Sequence, residues 1–296
     1  MSLVLLDGEL VAAEEARLSV FDRSVLYGES LFETLKVVDQ APCLWEPHLA
    51  RLTASAAALG LPFEPGAVEK GVRLLLDAEG PAHGVLRMQL TGGTQPGGRG
   101  LVAPSSRQPH FVASVSAAAP LDPAFYSEGV GVIVAPDLAR SLPRHKSGSY
   151  LAGVEGKRRA ERAGAFECLL ARGEELLEGA FSNLLLVTEA GLRRVPSGSA
   201  LEGVTMVTVL EEAVGLGHAA EEAPVSVPDA RVGGLLLTGS LVGVLPVSTL
   251  DGAPLPSTTQ TARSLMDRLR QREEASVREW RESSGGTAPI TRERQD

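Results

Sequence analysis

Short apolar runs bounded by turn signals alternate with stretches of helical periodicity along nearly the whole chain, and this interleaving excludes both a helical bundle and an all-strand sandwich. Residues 3–6, then Asp7-Gly8, then Leu10-Val11 read as a hairpin. Residues 31–38 (LFETLKVV) are strand-like, and Asp39-Gln40 turns the chain. Pro47 then opens a helix whose Leu49, Leu52, Ala56 and Leu59 share one face, with Gly60 as its stop. A helix over 67–77 and strands over 85–90 and 111–115 complete an α+β block. The small-residue, proline-marked stretch SAAAPLDPAF reads as a boundary. Beyond it come a strand at 130–135, a helical pattern at 150–163, strands at 166–171 and 184–187, a helix at 204–214 and apolar runs around Leu235 and Val244. The expectation is a two-domain α/β (α+β) protein: a small N-terminal domain over 1–117, a linker over 118–125 and a larger C-terminal domain over 126–270. Residues 271–296 read as a polar helical extension with a disordered tail.

Composition narrows the function classes. With 28 Lys+Arg against 37 Asp+Glu the net charge is −9, which argues against a general nucleic-acid binder. No apolar run is long enough for a membrane span and the N-terminus lacks a secretory pattern, so the expected location is the cytoplasm. Cys43 and Cys168 lie far apart and read as free, buried thiols. The five histidines never fall at metal-ligand spacing, and no CxxC, GxSxG or P-loop pattern occurs; a structural metal and serine-hydrolase chemistry have no support. The stretch Gly92-Gly93-Thr94-Gln95-Pro96-Gly97-Gly98-Arg99-Gly100 reads, by itself, as a surface loop.

Arginine outnumbers lysine twenty-four to four, so each lysine can be weighed. Lys36, Lys70 and Lys157 read as solvated surface charges. Lys146 stands in Leu142-Pro143-Arg144-His145-Lys146-Ser147-Gly148-Ser149-Tyr150, between a proline turn and a helix start, with small residues beside its amine. A loop lysine is usually surface charge, so a covalent role requires partners. Glu178, in Leu177-Glu178-Gly179-Ala180-Phe181-Ser182-Asn183, precedes an apolar strand, and its carboxylate is expected to point inward. A buried carboxylate needs a cation, which can be a cofactor's pyridinium nitrogen or one of the many arginines.

Six motifs occur in order: residues 22–34 (DRSVLYGESLFET), His48-Leu49-Ala50-Arg51-Leu52, Lys146-Ser147-Gly148-Ser149-Tyr150-Leu151, Glu178-Gly179-Ala180-Phe181-Ser182-Asn183, Leu201-Glu202-Gly203-Val204-Thr205, and Thr238-Gly239-Ser240 ahead of Pro246-Val247. Together they resemble the fold-type IV pyridoxal-phosphate enzymes, the family of branched-chain and D-amino-acid aminotransferases and aminodeoxychorismate lyase. The resemblance implies a barrel-like C-terminal sheet, pyridoxal 5′-phosphate as cofactor and a homodimer. By position it makes Lys146 the cofactor-bearing lysine and proton-transfer base, and Glu178 the partner of the pyridine nitrogen. Arg51 then holds the phosphate, joined by the backbone N–H groups of Val204 and Thr205 and by Ser240 and Leu241, the last through its backbone alone. Leu201 packs on the ring face and Tyr150 bonds the ring hydroxyl. Met206 stands where many relatives carry an arginine.

Within the family, Phe32-Glu33-Thr34 is similar to the lyases' version of that motif, as are the short Lys146-Ser147-Gly148-Ser149 spacing and Gly97-Gly98-Arg99-Gly100. The resemblance therefore ranks the lyase first, with β-elimination to 4-aminobenzoate and pyruvate, and a branched-chain or D-amino-acid aminotransferase second. A non-catalytic binding protein on the same scaffold is a third reading, which the presence of Lys146, Glu178 and Arg51 opposes. Thr34 is expected at the reacting group, with Tyr27 and Arg99 beside it on the substrate, the arginine reaching across a subunit boundary.

Overall fold

A computed structural model describes residues 2–94, 100–103 and 107–283. The opening hairpin pairs β1 (Leu3–Leu6) with β2 (Glu9–Ala12) through Asp7 and Gly8, both at positive φ, as a tight two-residue turn requires. Helix α1 (Arg23–Tyr27) is capped by the Asp22 carboxylate, which accepts from the Ser24 N–H at 2.7 Å. Strand β3 (Ser30–Val38) turns through β4 (Ala41–Pro42) into α2 (Trp45–Ala58) and α3 (Pro65–Glu79), followed by β5 (His83–Thr91) and β6 (Phe111–Ala117). These strands form one sheet in the order β2-β1-β6-β5-β3-β4. Leu35, Val37, Leu86 and Met88 alternate onto the face that α2 and α3 cover with Leu52, Val72 and Leu75.

After α4 (Ala124–Ser127) the second half runs β7 (Val130–Ala135), α5 (Leu151–Arg162), β8 (Glu167–Arg172), β9 (Glu175–Gly179), β10 (Asn183–Thr188), β11 (Gly191–Arg194), α6 (Val204–Gly215), β12 (Ala219–Glu222), β13 (Val225–Ser226), α7 (Val227–Gly233), β14 (Leu235–Gly239), β15 (Gly243–Leu250), β16 (Ala253–Pro254) and α8 (Thr259–Glu282). Its sheet has the order β12-β11-β10-β14-β15-β7-β8-β9-β13, mixed parallel and antiparallel, with β16 on β15. Both halves are thus mixed α/β. No helix among the described residues is long and apolar enough to cross a membrane.

Three expectations change. Helix α2 starts at Trp45, so Pro47 lies within its first turn, where a missing N–H costs nothing. Residues 259–282 form one continuous helix, so no break falls at 270; Leu265 and Leu269 pack in the second half, while Val277 and Trp280 enter the N-terminal core. Lys36 is not a free surface charge: its part-exposed ammonium pairs with buried Glu273 of α8 at 2.7 Å. The tail after 283 lies outside the described residues.

Candidate active site

Strand β4 is only two residues long, and it leaves the first residues of β3 without a neighbour on that edge. The loop before α5 takes up that edge: Phe32 N–H donates to the Lys146 carbonyl at 2.9 Å and Gly148 N–H to the Ser30 carbonyl at 2.8 Å. Two backbone bonds therefore fix Lys146 where the two sheets meet. Its amine lies 4.6 Å from the Phe32 ring centroid and 6.0 Å from that of Tyr150, and no carboxylate among the described residues forms a salt bridge with it. Burial, and after it Arg51 and Arg140, bring its pKa down to about 8, while Glu33 and Glu178 oppose the shift.

Lys146 is shared by two adjoining cavities. The inner one is lined by Arg51, Glu178, Leu201, Val204, Thr205 and Ser240, together with Tyr150. Glu178 is buried on β9; burial raises its pKa, and Arg140 and the Leu201 N–H, which donates at 3.2 Å, pull the other way. Of the cations considered for Glu178, an arginine is present: Arg140 approaches to 3.6 Å, and Glu178 also lines the cavity. Arg140 is a residue that sequence reasoning missed. It also donates to the Pro143 and His145 carbonyls, at 3.3 and 2.6 Å, and so braces the Lys146 loop against Glu178. Nothing in the sequence separates it from twenty-three other arginines.

At the opposite end of the inner cavity α6 begins at Val204 with no side-chain cap, leaving its first N–H groups directed outward from the helix. Arg51 sits beside it, donating to the Glu202 carbonyl at 2.8 Å and as a fork to Glu33, at 2.8 and 2.6 Å. Against burial, Arg51 and His48 hold the Glu33 carboxyl at about 2. Thr238 Oγ1 is fully buried with no hydrogen-bond partner among the described residues, and Thr238 lines this cavity. Tyr150 borders both cavities, its hydroxyl donating to the Ala180 carbonyl at 2.7 Å, and burial raises it to about 12.

The outer cavity, of about 520 Å³, is walled by Thr34, Arg87, Gln89, Ser24, Val25 and Leu241. Leu241, expected at the phosphate through its backbone, is exposed and lines this outer cavity and not the inner one. Thr34 and Arg87 are register partners across β3 and β5. Arg87 also went unnoticed in the sequence; its guanidinium lies 4.2 Å over the Phe32 ring, and no carboxylate among the described residues pairs with it. Alternation along β5 is the signal that could have found it, since Arg87 shares a face with Val85 and Gln89. Tyr27 does not line either cavity. Ser24 and Val25 take that place, and the Tyr27 ring lies 4.8 Å from the Arg23 guanidinium on another side of α1. Arg99, with Gly97 and Gly98, lies outside the described residues.

A family model for class IV amino-transferases matches residues 30–250, which takes in Lys146, Glu178, Arg51 and most of both cavity walls. The chain belongs to the class IV aminotransferase family. This class IV enzyme is 27% identical over 273 residues to the D-alanine aminotransferase of Bacillus licheniformis, covering 88% of this chain and 95% of that protein. It matches the structure of 4-amino-4-deoxychorismate lyase from Pseudomonas aeruginosa with a TM-score of 0.81 and 31% identity, over 91% of this chain and 98% of that one. A branched-chain amino acid aminotransferase from T.th., with pyridoxamine 5′-phosphate, superposes with a TM-score of 0.82 at 23% identity, covering 93% and 94% of the two chains, and shares the fold. Pyridoxal phosphate is the cofactor of the enzyme.

Proposed function

We propose that this class IV enzyme is a 4-amino-4-deoxychorismate lyase, cleaving its substrate to 4-aminobenzoate and pyruvate, a step toward folate. The observation that carries the reading is the wall of the outer cavity. Thr34 and Arg87, a cation with no carboxylate partner among the described residues, stand together beside Lys146, offering a hydroxyl and a guanidinium to a substrate that brings two carboxylates. The 31% identity to the Pseudomonas aeruginosa lyase over nearly the whole of both chains supports it.

The inner cavity fits pyridoxal phosphate on its donor set. The orphaned Thr238 hydroxyl, the free N–H groups of Val204 and Thr205, Ser240 and the Arg51 edge form an anion cradle at one end. Glu178 would supply a buried carboxylate for the pyridine nitrogen, Leu201 would pack against the ring, and Lys146 would be the residue that carries the cofactor. Bound there, the cofactor supplies an electron-accepting ring conjugated to the substrate amine.

The chain's own residues do the rest. With its pKa brought from the ordinary 10.5 to about 8, Lys146 gives up its proton near neutral pH far more readily than an ordinary lysine, so its Nζ can take the proton from the carbon bearing the substrate nitrogen. Thr34 lines the outer cavity, and its hydroxyl is the group there that can supply the hydrogen bond, or the proton, that the departing ether oxygen needs. Arg87, with its guanidinium over the Phe32 ring and no carboxylate partner among the described residues, is placed to fix a substrate carboxylate.

The protein acts as a homodimer in this reading: Val20, Phe21, Val25, Leu101 and Val102 form an exposed apolar rim near the outer cavity that a second copy would cover. Sedimentation giving a monomer at micromolar concentration would remove that part.

The second reading, an aminotransferase, has the similarity to the Bacillus licheniformis D-alanine aminotransferase in its favour, and Lys146 and Glu178 serve it equally. The deciding assay uses aminodeoxychorismate generated in situ. The lyase releases 4-aminobenzoate and pyruvate in equal amounts without a keto acid, and Thr34→Gly lowers that rate while leaving cofactor content unchanged. Rapid conversion of bound cofactor to its pyridoxamine form by an L- or D-amino acid, with no 4-aminobenzoate, selects the aminotransferase.

A further inference from the structure

Behind the anion cradle runs a chain of four side chains, Arg51, Glu33, His48 and Ser240, whose two ends line the cavity and whose middle pair is buried. Glu33 Oε2 accepts from Arg51 Nη2 at 2.6 Å and from His48 Nδ1 at 2.7 Å; Ser240 Oγ lies 3.3 Å from His48 Nε2. Glu33 and His48 are both almost wholly excluded from solvent, at 1% exposure each. His48 touches neither cavity directly, so no step described above uses it.

An ionised carboxylate only accepts hydrogen bonds, and Arg51 grips Glu33 with two N–H groups, which keeps it ionised. The proton on His48 Nδ1 is therefore fixed, and only Nε2 can vary. If Nε2 is bare, Ser240 must donate to it, and the hydroxyl offers nothing but lone pairs to the cradle. If Nε2 carries a proton it donates to Ser240 Oγ, and the hydroxyl hydrogen is released to donate into the cradle. A phosphate dianion accepts hydrogen bonds; with Nε2 bare the single Ser240 hydrogen cannot serve both ring and anion, so the dianion favours the second arrangement.

We propose that His48 is a proton-linked positioning residue for the phosphate cradle: it is neutral when the cradle holds no anion and becomes imidazolium when a phosphate dianion binds, reversing the Ser240 hydrogen bond so that Ser240 becomes a donor to the anion.

The charges facing His48 fit such a poise. Glu33 from β3 favours the imidazolium, Arg51 from its own helix and Lys146 from the loop before α5 oppose it, and Ser240 from the β14–β15 turn is neutral. Burial outweighs Glu33 and lowers the pKa of the ring with no anion counted. A dianion beyond Ser240 adds attraction from the side that lacks it. Arg51, already neutralised by Glu33, leaves the cradle short of cationic charge, and His48 would supply the missing unit.

This inference rests on the reading that the cofactor phosphate lies at this end of the cavity. The test is imidazole ¹⁵N NMR on the full chain at pH 8, as holoenzyme, stripped of cofactor, and stripped but saturated with inorganic phosphate. The expected result is a His48 imidazolium in the holoenzyme and with phosphate, and a neutral Nδ1–H ring in the stripped protein. Calorimetry in two buffers of different ionisation enthalpy should give an uptake of about one proton per phosphate, absent in His48→Gln. A ring of unchanged protonation in all three samples overturns the proposal, as does protonation in the holoenzyme alone despite saturating phosphate. Arg51→Ala separates the two readings. Weaker cofactor binding in that variant beside an unresponsive His48 in the wild-type chain sinks only the switch, whereas unchanged binding in the variant places the phosphate elsewhere and sinks both.

Discussion

Lys146 and Glu33 show how single side chains take opposite characters from neighbouring positions. Lys146 has lost solvent without gaining a carboxylate, and its amine is driven toward neutrality; Glu33 has lost solvent too but gained Arg51 and His48, and its carboxylate is driven the other way. Arg51→Ala therefore acts twice. It removes a charge-assisted contact at the cradle worth about 1.5–3 kcal/mol, so cofactor affinity should fall by about one to two decades. It also strands the Glu33 carboxylate, so the melting temperature should fall with it. In the double variant Arg51→Ala, Glu33→Gln the buried charge is gone; melting should recover while cofactor affinity does not, as measured by calorimetry and cofactor titration. The wild-type pair carries a pH signature of its own. Because the folded pKa of about 2 lies below the ordinary value of 4.5, its stabilisation is complete above about pH 4.5 and is lost as pH falls toward 2. At this scale the ordered motifs singled out Lys146, Glu178 and Arg51, and the fold brings these three to one cavity. It was silent on Arg87 and Arg140, whose importance comes from what faces them across a sheet or a loop, and misleading on Tyr27, which a single short helix turns away.

Among the elements, the turn between β9 and β10 decides where Glu178 points, and a second buried acid holds that turn. Glu167 on β8 accepts from the Cys168 and Phe181 N–H groups, at 2.8 and 3.2 Å, and from the Ser182 hydroxyl at 2.8 Å. Burial raises its pKa to about 7 despite those bonds. The sign is the reverse of that for Glu33: between about pH 4.5 and 7 the folded chain binds the proton more tightly than the unfolded one, so this residue's contribution weakens as pH rises through that window. Thermal scans should show melting temperature falling by a few degrees from pH 5 to 8, and Glu167→Gln should flatten that dependence; an equal slope in the variant would remove Glu167 as its cause. Elements with their own periodicity were readable in advance, including β3, β5, α3 and α6 to within a few residues. Strands β12, β13 and β16 were not. Every residue of β12 is exposed, and it exists only through its parallel pairing with β11, a relation that leaves no alternation in Ala219-Ala220-Glu221-Glu222.

For the molecule as a whole, the site is built from both halves: Thr34 and Arg87 on β3 and β5 of the first sheet, Glu178 on β9 and Ser240 in the β14–β15 turn of the second, and Lys146 on the loop before α5. Helix α8 ties the halves together on its way from Leu265 to Trp280, the latter stacked edge-on to Trp45 at 4.8 Å and lying 3.6 Å from the Arg73 guanidinium. Trp280→Ala should cost roughly 3–5 kcal/mol of stability by leaving a hole in the N-terminal core, read by denaturant unfolding, while a stabilised background should retain its cofactor affinity. The amphipathic pattern of the helix was visible in the sequence, but its destination was not, because the core it completes is built from residues more than a hundred and fifty positions earlier. That separation has a consequence for biosynthesis. By the time β6 leaves the ribosome, every strand of the first sheet exists, yet Trp45 and its neighbours still face water where α8 will later lie. The N-terminal half must wait in that state through the synthesis of the entire second half, exposing apolar surface to chaperones or to other nascent chains until Val277 and Trp280 arrive.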